Sequence, residues 1–190
     1  MHPDLGFAFA LADLADAITV ERFQADDLVV ETKPDLSPVT EADRAVEQAL
    51  RKRIGEERPD HGVVGEEFGA GRPGTARWIL DPIDGTKNYV RGIPVWATLI
   101  ALEREGRVEV GLASAPALHR RWWAVRGEGA FVNGRRIHVS QVADLSDAVL
   151  SYASLTSWEQ HGMGEELYEE LAKLDQELKS GKGAGLSATT

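Results

Sequence analysis

Two carboxylates, Asp81 and Asp84, stand three residues apart directly after the apolar run at 78–80. Pro82 stiffens the backbone between them, and Gly85 lets the chain approach a ligand closely before a short helical turn. Carboxylate oxygens bind hard cations such as Mg²⁺, and the first N–H groups of a helix can bind a phosphate. A lone Asp-Gly pair more often marks an ordinary turn. The surrounding sequence therefore has to distinguish a turn from a binding site.

The charge balance is acidic, with 31 Asp and Glu residues against 21 Lys and Arg residues. No cluster of Lys and Arg forms the positive stripe that neutralises phosphates in nucleic-acid-binding proteins, so we expect no nucleic-acid partner. The acidic excess is explained either by a solubilising surface or by carboxylates gathered around a divalent cation. The absence of cysteine excludes disulfides and thiolate metal sites.

No segment has the pattern of a membrane span or a secretory signal. The longest apolar stretch, residues 93–102, is too short to cross a bilayer, and the N-terminus lacks a basic region followed by an apolar run. We therefore expect a cytoplasmic protein without a membrane partner.

The helices that precede the carboxylates follow from hydrophobic spacing. Apolar residues recur at helical intervals near the N-terminus, at Phe7, Leu11, Leu14 and Ile18. A loop at 32–39 follows, and Thr40 is then a candidate N-cap for a second helix that ends near Glu57.

Strand patterns fill the middle of the chain, at 61–65, 77–80, 95–103, 107–115 and 121–125. The second of these strands should end directly at Asp81, with a Gly-rich loop at 68–76 before it. Turn signals at Glu105-Gly106 and Asn133-Gly134 predict antiparallel connections. Helices followed by a largely antiparallel sheet indicate the α+β class.

The C-terminal segment differs in composition from the rest of the chain. We expect a first domain at 1–150 and an incomplete or atypical segment at 151–190. Within that segment, 165–178 has the pattern of a charged helix, and the Gly/Ser/Ala/Thr-rich tail at 180–190 should be disordered.

Three motifs occur in the order of a known family. The string Asp-Pro-Ile-Asp-Gly-Thr at 81–86 resembles the metal-binding signature of the inositol monophosphatase family. Gly65-Glu66-Glu67 and Thr40-Glu41-Ala42-Asp43 resemble its two earlier motifs, with Lys33 in the loop ahead of them. The resemblance implies a layered αβαβα sandwich and Mg²⁺-dependent hydrolysis of a small phosphorylated metabolite.

The resemblance also implies a metal-ligand set. Glu66, Asp81 and the carbonyl of Ile83 would hold the first Mg²⁺, and Asp81 would bridge to a second ion that Asp84 also binds. Asp43 would help to hold a third, weaker ion. Two or three Mg²⁺ ions are therefore expected.

The remaining roles that the resemblance implies concern water and phosphate. Glu66 and Thr86 would orient or deprotonate the attacking water, and the N–H groups of Gly85 and Thr86 would bind phosphate oxygens. Lys33 would lie on a mobile loop beside the site. Relatives are commonly dimers, so a homodimer is an expectation of the same kind.

A narrower resemblance bears on the substrate. Segments at 33–40, 91–97, 114–118 and 122–123 resemble the bacterial histidinol-phosphate phosphatases of this family, which implies histidinol phosphate as the substrate. Inositol-1-phosphate is the alternative substrate. A further alternative is a metal- or phosphate-binding remnant that has no catalytic activity.

Several site residues have a simpler interpretation. Asp43 could be only a helix cap, Glu67 a surface or supporting residue, and Lys33 a solvated lysine. The role of Lys87 stays open. The pair Trp122-Trp123 could stack on a nucleic acid, but alternation along a strand should place one of the two in the core. Hard Mg²⁺ prefers oxygen, so the isolated histidines, His61, His119 and His138, are not expected to be ligands.

The resemblance covers about residues 5–158. A Trp-Asp motif that supplies a further carboxylate in relatives has no counterpart, because Trp158 is followed by Glu159 and Gln160. The chain is therefore expected to be C-terminally truncated relative to the family, and weakly active or inactive by itself.

Overall fold

A computed structural model of the chain describes residues 2–143 and 147–149, together with Glu169 and Lys173. The chain divides into two compact units, Met1–His138 and Val139–Thr190. The helices and strands between residues 5 and 137 all lie in the first unit. The predictions for 165–178 and 180–190 lie outside the described residues, apart from Glu169 and Lys173, which are helical and exposed.

Two long helices form one layer of the first unit. Helix α1 spans Leu5–Arg22 and helix α2 spans Glu41–Glu57. Thr40 caps α2 through its hydroxyl, which accepts the N–H of Asp43, and the Asp43 carboxylate accepts the N–H of Thr40 in return. This capping box satisfies two backbone donors that the first turn leaves free, and it confirms the predicted start of α2.

The second layer is an eight-stranded sheet. Its strands are β3 (His61–Gly65), β4 (Gly69–Ala70), β5 (Ala76–Asp84), β6 (Ala97–Arg104), β7 (Arg107–Ala115), β8 (Arg120–Val125), β9 (Gly129–Val132) and β10 (Arg135–Ile137). The spatial order is β10-β9-β8-β7-β6-β5-β3-β4. All neighbours are antiparallel except β3 and β5, which run parallel. The α+β class is therefore confirmed.

The first unit also contains three short features. The loop predicted at 32–39 is part of a separate two-stranded ladder, in which β1 (Val30–Thr32) pairs with β2 (Pro38–Thr40). Only 33–37 form the connecting turn. Helix α3 (Thr86–Val90) is the predicted helical turn after Gly85. A 3-10 turn at Pro116–Leu118 connects β7 and β8.

The main core lies between the two long helices and one face of the sheet. Trp78 of β5 is fully buried there and packs edge-on against Phe7 of α1. Trp123 of β8 contacts Phe9 of α1 in the same way. Because successive side chains of a strand point to opposite faces, Trp122 faces away from this core. One member of the Trp pair is therefore in the core, as predicted.

Both predicted hairpin turns are present. The backbone φ angles are positive at Glu105 and Gly106 (50° and 72°) and at Asn133 and Gly134 (46° and 83°). Two successive residues with positive φ give the hairpin turn whose twist matches that of the flanking strands.

Strand β5 does not end at Asp81, as the sequence predicted, but continues to Asp84. Its pairing with β6 shifts register between these two residues, because Asp81 lies opposite Leu99 and Asp84 lies opposite Ala97. Such an irregularity tolerates Pro82, which cannot donate to a regular ladder. The carboxylate motif is therefore a bulge in a strand, and bulges re-aim the side chains that they carry.

No helix within the described residues is long and apolar enough to cross a membrane.

Candidate metal and phosphate site

The parallel pairing of β3 and β5 brings two sequence motifs together. Gly65, the last residue of β3, lies opposite Leu80, and the N–H of Glu66 donates to the carbonyl of Leu80 at 3.2 Å. Glu66 and Asp81 are the next residues on the two chains. Their backbones are therefore held side by side, although 15 residues separate them in the sequence.

Asp81 is the most perturbed carboxylate of this site. Within the described part of the chain, one of its oxygens, Oδ1, is buried without a hydrogen-bond partner. Burial, followed by the neighbouring negative charges of Glu66, Asp84 and Asp43, raises the pKa of Asp81 to about 8. A buried carboxylate with a free oxygen among like charges is a poor structural element but a suitable ligand, because a bound cation would satisfy the oxygen and offset the repulsion. These residues therefore fit a hard divalent cation.

Glu66 is paired with Lys33, which lies between β1 and β2. The Lys33 ammonium is 2.6 Å from Glu66 Oε1 and 2.7 Å from Glu67 Oε1. Partial burial alone would lower the pKa of Lys33, but these two carboxylates raise it above its ordinary value. The interpretation of Lys33 as a solvated lysine is therefore wrong. Glu67 is not a surface residue either, since its side chain is only 6% exposed, and burial raises its pKa.

Asp43 has two roles in the structure. Its Oδ2 accepts the N–H of Thr40 at 2.8 Å, which confirms the interpretation of Asp43 as a helix cap. Its Oδ1 lies 3.4 Å from the hydroxyl oxygen of Thr86, which also lies 2.9 Å from the carbonyl of Ile83. Burial raises the pKa of Asp43, although its hydrogen bonds with Thr40 oppose the shift. Helix α2 therefore brings a carboxylate to the start of α3.

Gly85 forms the sharp turn between β5 and α3. Its φ of 86° lies in the left-handed region, and an added Cβ would be 3.0 Å from the carbonyl oxygen of Val95. Both facts favour glycine at this position. The turn is anchored by Tyr89, whose hydroxyl donates to the buried carbonyl of Thr19 at 2.7 Å and whose ring packs against Trp96.

The side chains do not by themselves form a closed ligand cage. Within the described part of the chain, no group of three or more Asp, Glu or His side chains is arranged to hold a metal ion as it stands. Glu66 is engaged by Lys33, one Asp43 oxygen caps α2, and Asp84 is exposed. The isolated histidines predicted not to be ligands include His61, whose Nδ1 accepts the indole N–H of Trp78 at 3.0 Å in the helix–sheet core.

Glu47 is a supporting residue that the sequence analysis did not identify. It is fully buried on α2, and its carboxylate accepts the backbone N–H groups of Glu67 and Phe68. The signal was its position four residues after Asp43, which places both carboxylates on one face of the helix.

The chain resembles known proteins over most of its length. The model of the inositol monophosphatase family matches residues 1–185, so the resemblance extends well beyond residue 158, where the motifs alone suggested that it stops. A histidinol-phosphatase of Mycobacterium tuberculosis is 58% identical over 170 residues, which are 86% of this chain and 65% of that protein. A histidinol-phosphatase of Streptomyces coelicolor is 57% identical over 168 residues, 84% of this chain and 63% of that protein.

Solved structures give the same result for the fold. An inositol monophosphatase from Zymomonas mobilis superposes with a TM-score of 0.71 at 38% identity, over 84% of this chain and 61% of that one. The chain thus spans less than two thirds of the length of each of these relatives. The sequence matches and the shared fold agree, and the chain belongs to the inositol monophosphatase family.

Proposed function

We propose that the protein hydrolyses phosphate monoesters with the help of Mg²⁺, and that histidinol phosphate is its substrate. The observation that carries the proposal is a buried oxygen of Asp81 that has no hydrogen-bond partner among the described residues and that lies near the carboxylates of Glu66, Asp84 and Asp43. This cluster of negative charge stands beside the tight turn at Gly85, where backbone N–H groups start α3. A site for cations therefore adjoins a place where a phosphate can approach the backbone.

The residues that would hold Mg²⁺ are Asp81, Asp84, Glu66 and the carbonyl of Ile83, with Asp43 at a weaker site. When bound, the ions neutralise the charge of the phosphate ester and activate water for attack. To bind the ion, the Glu66 carboxylate has to leave its ion pair with Lys33. Its side chain is 44% exposed, which leaves it room to turn.

Thr86 and Glu66 act on the attacking water in this proposal. The Thr86 hydroxyl lies within reach of both the Ile83 carbonyl and Asp43 Oδ1. If the Thr86 hydroxyl donates a hydrogen bond to Asp43 Oδ1, its oxygen can accept a hydrogen bond from water. Glu66 then accepts a proton from the same water as general base. The N–H groups of Gly85 and Thr86 hold the phosphate.

Histidinol phosphate is favoured over other esters because the relatives that are 58% and 57% identical are named histidinol-phosphatases. Inositol-1-phosphate is the alternative substrate, supported by the 38% identical inositol monophosphatase of the same fold. A second candidate function is metal and phosphate binding without turnover. It is considered because the chain covers only 65% of its M. tuberculosis relative.

The test is release of inorganic phosphate from histidinol phosphate and from inositol-1-phosphate, each with Mg²⁺ and with EDTA. Asp84→Asn removes a proposed ligand, and Asp26→Asn, at an exposed position, is the control that makes the same change of charge. We expect Mg²⁺-dependent release from histidinol phosphate that Asp84→Asn abolishes and Asp26→Asn leaves intact.

The other outcomes separate the candidates. Faster release from inositol-1-phosphate would favour the alternative substrate. Mg²⁺ binding by calorimetry without any release would favour the binding function. Absence of both release and Mg²⁺ binding would refute the proposal.

A further inference from the structure

Glu47 is a fully buried carboxylate on α2, and two of its polar contacts go to the turn next to Glu66. The carboxylate accepts the backbone N–H of Glu67 at 2.7 Å and that of Phe68 at 3.2 Å. Arg51, one turn further along α2, donates to Glu47 at 2.7 Å and also to the carbonyl of Gly69. The turn that follows β3 is thus bound to α2 through Glu47 and Arg51.

Gly65 packs directly against the same carboxylate. A Cβ added to Gly65 would overlap both oxygens and the carboxyl carbon of Glu47. Gly65 does not have a φ in the left-handed region, so close approach by Glu47, and not backbone conformation, requires glycine here. Both sequence neighbours of Glu66 therefore contact the carboxylate of Glu47. Gly65 packs against it, and the N–H of Glu67 donates a hydrogen bond to it.

The spacing along α2 connects this contact to the site. Asp43, Glu47 and Arg51 are four residues apart and lie on one face of the helix. Asp43 faces Thr86, and Glu47 holds the turn next to Glu66. Arg51 forms an ion pair with Glu47. One helix face thus positions both the α3 side and the β3 side of the site.

We propose that Glu47 is a positioning residue that fixes the backbone of Glu66 for metal binding. The role needs a carboxylate, because its two oxygens act only as acceptors for the two N–H groups and for Arg51. A glutamine of the same shape has an NH₂ group in place of one acceptor oxygen, so it satisfies fewer of these three donors. This inference rests on the proposed function, in which Glu66 is a metal ligand.

The first test measures backbone protection without metal. Hydrogen exchange of the Glu67 and Phe68 amides is followed in the 190-residue chain and in Glu47→Gln, with Glu56→Gln, at an exposed position of the same helix, as the matched control. We expect exchange at the two amides to become at least about tenfold faster in Glu47→Gln. Amides of α1 should be unaffected, and Glu56→Gln should behave like the parent chain.

The second test measures Mg²⁺ affinity by calorimetry on the same variants. Residues that orient metal ligands typically change affinity about 10–100-fold when they are replaced, and we expect a loss in this range for Glu47→Gln. Gly65→Ala, which leaves Glu47 in place but displaces its carboxylate, should give the same loss. In the Glu47→Ala background the added methyl has space, so Gly65→Ala should then be much less harmful to stability.

These measurements separate the inference from the proposed function. If the parent chain binds no Mg²⁺, the proposed function fails, whereas the exchange data and the coupling between positions 47 and 65 still show whether Glu47 holds the turn. Faster exchange with unchanged Mg²⁺ affinity would overturn the positioning role and leave Glu47 a purely structural residue. Unchanged exchange, or an equal effect in Glu56→Gln, would overturn the inference altogether.

Discussion

Asp81→Asn should stabilise the metal-free protein while removing its response to Mg²⁺. The Asp81 carboxylate has three acidic neighbours and a buried oxygen for which residues 2–143 and 147–149 provide no hydrogen-bond partner. A buried polar or charged group left unsatisfied costs about 1–3 kcal/mol of stability. Because Asp81 keeps partial contact with solvent, water screens part of the repulsion. We therefore expect a gain of about 1–2 kcal/mol, at the lower end of this range.

The gain should depend on pH with a definite sign. Folding raises the pKa of Asp81 from 3.8 to about 8, so the folded state favours the protonated carboxyl. The stability that this preference contributes is fully present below pH 3.8 and is lost as the pH rises through 8. Asparagine does not ionise. The advantage of Asp81→Asn over the parent should therefore be smallest at pH 5 and largest near pH 8.

The assay is thermal and urea unfolding in EDTA at both pH values, repeated with saturating Mg²⁺. A gain of 1–2 kcal/mol corresponds to a rise in Tm of about 2–8 °C for a chain of this size. A ligand at 100 times its Kd stabilises the folded state by about 2.7 kcal/mol, and only the parent and an Asp26→Asn control should show such an effect. A less stable Asp81→Asn in EDTA at pH 8 would refute the reasoning, as would an equal response to Mg²⁺.

Three further predictions concern the surroundings of the site. Gly85→Ala forces a side chain into the left-handed region, so urea unfolding should show a loss of about 1–2 kcal/mol and calorimetry a weaker affinity for inorganic phosphate. Tyr89→Phe removes a buried hydrogen bond to α1, so urea unfolding should show a loss of stability of about 1 kcal/mol. Unchanged stability would show that this hydrogen bond does not contribute. Burial lowers the pKa of His61 below 6.5, although the charge of Asp4 opposes the shift. The contribution of His61 to stability is therefore present above pH 6.5 and is lost as the pH falls through the pKa of His61 in the folded state. His61→Phe should therefore lose less stability than the parent between pH 7 and pH 5, and an equal loss would show that His61 does not contribute.

Much of the fold could be predicted because its signals are local. The capping box at Thr40 and Asp43 lies within four residues, and the turn at Asn133-Gly134 depends on residues that accept positive φ. The fully buried Trp78 is on a strand that the apolar run at 78–80 predicted. Such features need no knowledge of which segments meet in space.

The candidate site could be predicted only as a set of residue types. The sequence of the motif at 81–86 predicted a cation and phosphate site, but it did not predict the conformation of the motif. The predicted end of β5 was wrong because pairing with β6 extends the strand through the motif with a shift in register. The partner of a strand is a long-range property that the strand's own residues do not encode.

Sequence alone determined the family and the α+β class, and it predicted most acidic residues of the candidate site, because these depend on residue types in a fixed order. Only the tertiary structure decided how they are held. Parallel pairing of β3 with β5 places Glu66 beside Asp81. Lys33, from the hairpin of β1 and β2, forms ion pairs with Glu66 and Glu67. Glu47 binds the turn that follows β3. Each of these contacts joins residues at least 15 positions apart, and the free energy of a buried charge depends on such neighbours and not on its place in the chain.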